Sequence, residues 1–177
     1  MNKLKLLGWM YSAVMLIILT TTTSTQGQSY TSRTSIKVGA YYFDGWYNKT
    51  PFVTPKLRDS FPDRKPVWGW ITNTPSVMQA QINQAAAAKI SFFCFDWYYP
   101  QDTLYKGALG AYLKAPNRNK LKFSVLVANH SGYLIGPKQW DKATDAWIKL
   151  FKNPAYFKVD AKPYLTFFSL PLSLIHI

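Results

Sequence analysis

Two stretches of the chain share one pattern: an apolar run that ends in Phe-Asp and is followed by Trp and Tyr. They are residues 38–47 and residues 92–99. One helix-like segment lies between them, so we predict two neighbouring parallel strands whose carboxyl ends meet at the same edge of a sheet. Folds of the α/β class place their ligand sites at that edge. A carboxylate between aromatic rings suits carbohydrate, because the rings cover the apolar face of a sugar while Asp binds hydroxyls.

The rest of the chain predicts alternating strands and helices. Four runs are predicted strands: residues 36–43, 90–95, 121–128 and 163–168. Helical spacing predicts three helices between them, over residues 76–89, 109–114 and 138–151. Ser76 is the expected cap of the first. A long loop with five prolines covers residues 45–75, and such loops belong more often to binding sites than to scaffolds.

Four strand-and-crossover units indicate an α/β fold, the amino-terminal half of a (β/α)8 TIM-type barrel of about 250 residues. We therefore expect a partial barrel domain over residues 29–168. The apolar ending over residues 169–177 has no polar cap, so we expect a truncated chain with a non-native tail. Open strand edges predict non-native self-association. A complete flavodoxin-like sheet is the alternative, although no Gly-rich phosphate loop follows the first strand.

The amino terminus predicts a signal peptide over residues 1–28. Lys3 and Lys5 precede an apolar run over residues 6–19, and a small polar tract follows. A membrane anchor is the alternative, but the run is shorter than the ~20 residues that a spanning helix needs. We expect a secreted, periplasmic or cell-surface protein without a stable membrane span after cleavage.

The charged residues and the single cysteine limit which partners, metals and cofactors we expect this chain to bind. Twenty-one basic residues face eight acidic ones, all Asp, and there is no Glu. The lysines are scattered along the sequence, and we interpret them as residues on solvated helix and loop surfaces. The alternative is that they bind an anionic polysaccharide or a cell-envelope partner. No nucleic-acid partner is predicted. Cys94 is predicted to be a buried core residue. Without a Cys/His cluster we predict no metal and no other cofactor.

Four segments give the chain a resemblance to a known family: residues 38–46, residues 81–98, residues 126–130 and residues 153–165. They resemble the glycoside hydrolase family 99-like and WbsX-type group, and the resemblance covers about residues 36–168. It implies a secreted or envelope-associated (β/α)8 protein that acts on glycans, mannose-containing ones among them. The paired catalytic carboxylates of that group lie in the later half of the barrel, and no residue of this sequence matches them.

The two Phe-Asp motifs supply the first site candidates. Asp44 and Asp96 follow Phe at equivalent strand ends, so we expect both to face the barrel mouth. Adjacent strands are ~4.8 Å apart, so the carboxylates can approach the separations that glycosidases use. Asp96 is the catalytic candidate. The alternative is that Asp44 orders the turn at Gly45 and Asp96 binds a hydroxyl or a backbone amide.

Other side chains at the strand ends are candidates for substrate binding. With Asp44 they are Tyr42, Trp46, Trp97, Tyr98, Asn129 and His130. The aromatic rings can stack on sugar, although core packing is their alternative role. Asn129 and His130 end the third strand and can hold hydroxyls, with a structural role as the alternative for His130.

The sequence thus predicts a secreted glycoside hydrolase-like protein with a polysaccharide or oligosaccharide substrate. We expect this chain, as an incomplete fragment without the main catalytic carboxylates, to be inactive. The alternatives are a non-catalytic carbohydrate-binding protein, a WbsX-type polysaccharide-biosynthesis protein, and a fragment that does not fold alone.

Overall fold

A four-stranded parallel sheet organises the computed structural model, which describes residues 36–47, 50–99 and 107–169. The predicted signal peptide and residues 170–177 of the predicted tail lie outside the described residues. The strands are β1 Gly39–Tyr42, β2 Phe92–Trp97, β3 Lys122–Val127, β4 Lys158–Val159, β5 Lys162–Pro163 and β6 Leu165–Phe167. The helices are α1 Pro55–Ser60, α2 Pro75–Ala87, α3 Gly107–Lys114 and α4 Trp140–Phe151. Three 3-10 turns accompany them: Pro62–Arg64, Arg118–Lys120 and Pro137–Gln139.

The strand order in the main sheet is β1-β2-β3-β6, and every neighbouring pair is parallel. A helix connects each strand with the next, as expected for crossover connections. This arrangement confirms the predicted α/β class and corresponds to part of a (β/α)8 barrel. No helix among the described residues is long and apolar enough to span a membrane.

The core lies between the sheet and its helices. Odd-numbered side chains of β2 and β3 face the helices, because side chains alternate along a strand. The largest of them are Phe93, Phe95, Trp97 and Phe123, all buried against Met78, Ile82, Tyr112 and Trp147 of the helices. Even-numbered side chains of β2, including Cys94 and Asp96, lie on the opposite face, here called the inner face. Cys94 is buried there beside the Thr166 hydroxyl, and the buried position predicted for it is confirmed.

The register between β1 and β2 depends on one close approach. Gly39 pairs with Phe92, and a Cβ atom at Gly39 would overlap the Phe92 ring. On the helix side, Tyr42 pairs with Phe95 and donates a hydrogen bond from its hydroxyl to Gln81 Oε1 at 2.7 Å. A slip of one residue would move each of these side chains to the wrong face of the sheet.

Several local predictions need correction. Thr74, not Ser76, caps α2: its hydroxyl accepts from Val77 N at 3.3 Å, and Pro75 occupies the first helical position, where a missing N–H costs nothing. The proline-rich loop contains α1, which Thr54 caps in the same way. The β4–β5 hairpin was not predicted, because its two-residue strands are too short to give a periodic signal.

The outer strands of the main sheet leave apolar side chains in solvent. Tyr41 in β1 is 72 % exposed, and Val38 just before it is half exposed. Beyond β6, Phe168 is 63 % exposed. Unpaired strand edges are templates for pairing with another chain. Self-association through these edges stays a prediction.

Candidate functional site

Asp96 lies on the inner face near the carboxyl end of β2. Its carboxylate is half-buried and accepts a hydrogen bond from the Tyr98 hydroxyl. Two cavities meet at this side chain. The larger, of about 520 Å³, also contacts Tyr42, Asp44 and Tyr133, and the smaller, of about 290 Å³, lies over the inner face beside Leu126.

A cluster of aromatic rings surrounds the carboxylate. The ring of Tyr98 packs edge-on against His130 at 5.8 Å and against Tyr133 at 4.7 Å between centroids. His130 also contacts Tyr133 at 5.2 Å and Phe168 at 5.6 Å. We call these four residues the ring cluster. Its rings are partly exposed, so it can present apolar faces and hydroxyl groups to a ligand.

Burial dominates the electrostatics of Asp96. Loss of water around the carboxylate raises its pKa, while the nearby His130 and the Tyr98 hydroxyl act in the opposite direction. The same environment raises the pKa of Tyr98, first through burial and then through the Asp96 charge. Asp96 is thus a carboxyl group whose proton is held more tightly than in water, which suits either a hydroxyl-binding group or a general acid.

Asp44 lines the larger cavity and is also engaged by a helix amide. Its Oδ2 accepts a hydrogen bond at 2.6 Å from the N–H of Ala108, in the first turn of α3. That N–H has no partner within the helix, and a carboxylate there also meets the positive end of the helix dipole. Gly107, with φ +69°, is required beside it, because a Cβ would lie 2.5 Å from the same oxygen. Burial raises the pKa of Asp44, and the Ala108 amide lowers it.

The two carboxylates do not point the same way, which corrects the prediction. Tyr42, not Phe43, pairs with Phe95, so the two Phe-Asp motifs are offset by one residue across the sheet. Since faces alternate residue by residue, Asp44 turns toward the helices and Asp96 toward the inner face. Both nevertheless line the larger cavity.

Tyr42 also lines the larger cavity. Its hydroxyl is bound to Gln81, and burial followed by the Asp44 charge raises the pKa of Tyr42 to about 12. The phenol therefore stays protonated at neutral pH. It contributes an apolar wall rather than a proton carrier.

Three predicted binding residues lie elsewhere in the described structure. Trp97 is 2 % exposed and packs in the core, 5.5 Å from the Trp147 ring, because its odd position in β2 faces the helices. Trp46 is 40 % exposed and lies outside the lining of the described cavities. Asn129 is fully buried, and its Oδ1 accepts from Ile135 N at 3.1 Å. Asn129 thus shapes the loop that carries His130 and Tyr133.

Sequence reasoning did not identify Tyr133 and Phe168 of the ring cluster. Tyr133 lies three residues after His130 in the loop that follows β3, and Phe168 follows β6 directly. Their positions after strand ends were a usable signal, since such ends converge in parallel sheets. Among the described residues, no group of three metal-ligating side chains lies close enough to hold a metal ion.

Comparison with known structures supports the fold. The structure of the GH99 endo-alpha-mannosidase from Bacteroides thetaiotaomicron matches with a TM-score of 0.56 and 14 % identity, over 76 % of this chain and 46 % of that one. The structure of the same enzyme in complex with BIS-TRIS-propane matches with a TM-score of 0.52 and 15 % identity, over 73 % and 41 %. The sequence matches no family model, and no curated protein matches it significantly.

These likenesses define a class of fold. The described region is an α/β structure that corresponds to part of a TIM-type barrel, as in the matched structures. The chain spans less than half the length of the matched structures.

Proposed function

We propose that this protein binds a glycan at the carboxyl end of its sheet, as part of a secreted glycoside hydrolase-like protein. One observation carries the proposal: a half-buried carboxylate, Asp96, lies inside a cluster of partly exposed rings at the mouth of a cavity of about 520 Å³. Ligand pockets of this size combine apolar walls with a few placed polar groups. The fold likeness to endo-alpha-mannosidase structures favours mannose-containing glycans.

Each group has a role in this proposal. Asp96 accepts hydrogen bonds from sugar hydroxyls, and the rings of Tyr98 and Tyr133 cover an apolar sugar face. His130 holds a further hydroxyl, and its position beside Asp96 lowers the pKa of that carboxyl. Such charge-assisted hydrogen bonds are the strong ones in protein sites.

A non-catalytic role for this site has one specific observation in its favour. Hydrolysis of a glycoside usually needs two carboxyl groups on opposite sides of the scissile bond. The sequence has no Glu. Among the described residues, Asp44 is the one carboxylate that lines the larger cavity together with Asp96. The Asp44 carboxylate, however, already accepts a hydrogen bond from the Ala108 amide. We therefore expect the chain to bind glycan without useful turnover.

The test is binding of α-linked manno-oligosaccharides by titration calorimetry with the full chain. Asp96→Asn and Tyr133→Ala should each weaken binding roughly tenfold or more, since a hydrogen bond to a charged group contributes about 1.5–3 kcal/mol. Asp145→Asn on the exposed side of α4 is the matched control and should change nothing. Equal loss in all three variants contradicts the site. Turnover of an aryl mannoside that Asp96→Asn abolishes would make Asp96 catalytic and overturn the non-catalytic role.

A further inference from the structure

The end of the sheet opposite the cavity carries an uncompensated positive charge. The strands of the main sheet begin there and α2, α3 and α4 end there, so the loops between them form one surface. Six exposed lysines define what we call the basic end: Lys89, Lys114, Lys120, Lys122, Lys158 and Lys162. Asp160, in the β4–β5 turn, is the acidic residue that the described loops place among them.

Neutral partners hold two of these lysines in place. Lys120 Nζ donates to Asn83 Oδ1 at 2.9 Å, and Lys122 Nζ donates to the Pro154 carbonyl at 2.9 Å. An amide or carbonyl oxygen fixes an ammonium group without cancelling its charge. The favourable interaction of a basic residue with a helix C-terminus explains Lys114 at the end of α3, but not the lysines of the loops and the hairpin.

The carboxyl end differs in its charge balance. Asp44, Asp59, Asp63, Asp96 and Asp141 lie at that end or in its loops, interleaved with basic residues such as Lys56 and Lys138. The excess of positive charge is thus concentrated at one end of the fold rather than spread evenly. A one-signed surface attracts anionic polymers over about a Debye length.

We propose that the basic end is a second binding surface, which holds an anionic polysaccharide while the ring cluster faces the opposite way. Neighbouring strands are ~4.8 Å apart, so lysines from successive loops form a row that matches charges spaced along a chain. Ammonium groups on flexible stems suit distributed carboxylates or sulfates, whereas tight recognition of a single phosphate favours arginine.

The same surface fits other polyanions less well. Lipid interfaces favour Trp and Phe anchors, and single-stranded nucleic acid needs exposed rings for stacking. The aromatic residues that flank the hairpin, Phe92, Phe157 and Tyr164, are buried or half-buried and pack on one another. The exposed apolar side chains near this end, Ile36, Val38 and Tyr41, lie in β1 or just before it. The apolar side chain in the hairpin, Val159, is a single half-exposed aliphatic group.

Two variants of the full chain with equal charge change test the proposal. One carries Lys89→Gln, Lys114→Gln, Lys158→Gln and Lys162→Gln at the basic end, and the matched control carries Lys56→Gln, Lys65→Gln, Lys138→Gln and Lys142→Gln at the carboxyl end. The probes are polygalacturonate and heparin, with neutral mannan for comparison, in low and high salt.

We expect the first variant to bind polygalacturonate and heparin roughly tenfold more weakly at low salt and to lose most of the salt dependence, because fewer counterions are released. The control should change binding less than about threefold. Equal weakening in both variants would mean that net charge alone determines polymer binding, and would contradict the proposal that the basic end is a binding surface. Binding to anionic lipid vesicles without binding to either polymer assigns the basic end to a membrane instead and also overturns the proposal. The basic-end variant should bind neutral manno-oligosaccharides as the wild type does, whereas Asp96→Asn should weaken that binding, so failure of the ring-cluster site and failure of the basic end are distinguishable.

Discussion

The two Phe-Asp motifs have nearly the same sequence, but their Asp and Trp side chains lie in opposite environments. In the first, Asp44 binds a helix amide and Trp46 is 40 % exposed. In the second, Asp96 faces a cavity and Trp97 is buried in the core. The comparison shows that a repeated motif predicts a shared location in the fold but does not predict a shared direction of its side chains.

Two differences separate the motifs. β1 is an outer strand of the described sheet and β2 lies between β1 and β3. The register also places Gly39, not Ala40, under the Phe92 ring, because an added Cβ cannot fit there. The one-residue offset that follows exchanges the faces on which the two Asp residues lie.

The tryptophans should show the largest difference. We expect Trp97→Ala to lower the free energy of unfolding by about 3–5 kcal/mol, since it leaves a large cavity in the core. Trp46→Ala should cost less than about 1 kcal/mol because that side chain is 40 % exposed. Urea denaturation followed by far-UV circular dichroism measures both. Trp97→Phe supplies a milder variant if Trp97→Ala does not fold, and similar costs at the two positions would contradict the comparison.

The two aspartates should show the second-largest difference in stability. Asp44→Ala removes the acceptor of the Ala108 amide and should cost about 1–2 kcal/mol of stability, as the loss of a helix cap does. Asp96→Asn should cost nothing measurable, because it keeps the shape and removes a partly desolvated charge. Denaturation of both variants in the same buffer measures the two changes in the free energy of unfolding. Asp44→Asn, which keeps an acceptor, is the control and should lie between them, and a greater cost at Asp96 would reverse the assignment of roles.

The pH dependence of stability should show the smallest difference. The pKa of Asp96 is raised in the folded state, so the folded chain binds this proton more tightly than the unfolded chain. The wild type should therefore gain stability relative to Asp96→Asn as pH falls through the range between the raised pKa and the ordinary value. It should lose that advantage as pH rises through the raised pKa. Thermal melts from about pH 3 to about pH 7 measure the difference.

The variant His130→Gln tests whether His130 contributes to this pH dependence. The electrostatic effect of His130 lowers the pKa of Asp96, so His130→Gln should raise that pKa and move the window to higher pH. A window that stays in place in His130→Gln would mean that the two groups do not interact.

Much of the fold was predictable because it depends on local patterns. The apolar runs of β2 and β3 and the helical spacing of α2 and α4 placed the central elements within a few residues. The alternation of strands and helices predicted the parallel sheet. The structure also brings together Asp96, Tyr98 and His130, three candidates that the sequence placed at strand ends.

The amino-acid sequence by itself determined where strands and helices form and which strand ends meet, since both follow from the periodicity of apolar residues and from the right-handed crossover. Only the tertiary structure decided which way each strand-end side chain points. Direction depends on register, and register depends on contacts between residues far apart in the chain: Gly39 under the Phe92 ring and Tyr42 against Gln81. Those contacts made Asp44 a helix cap and Trp97 a core residue, and left Asp96 facing the cavity.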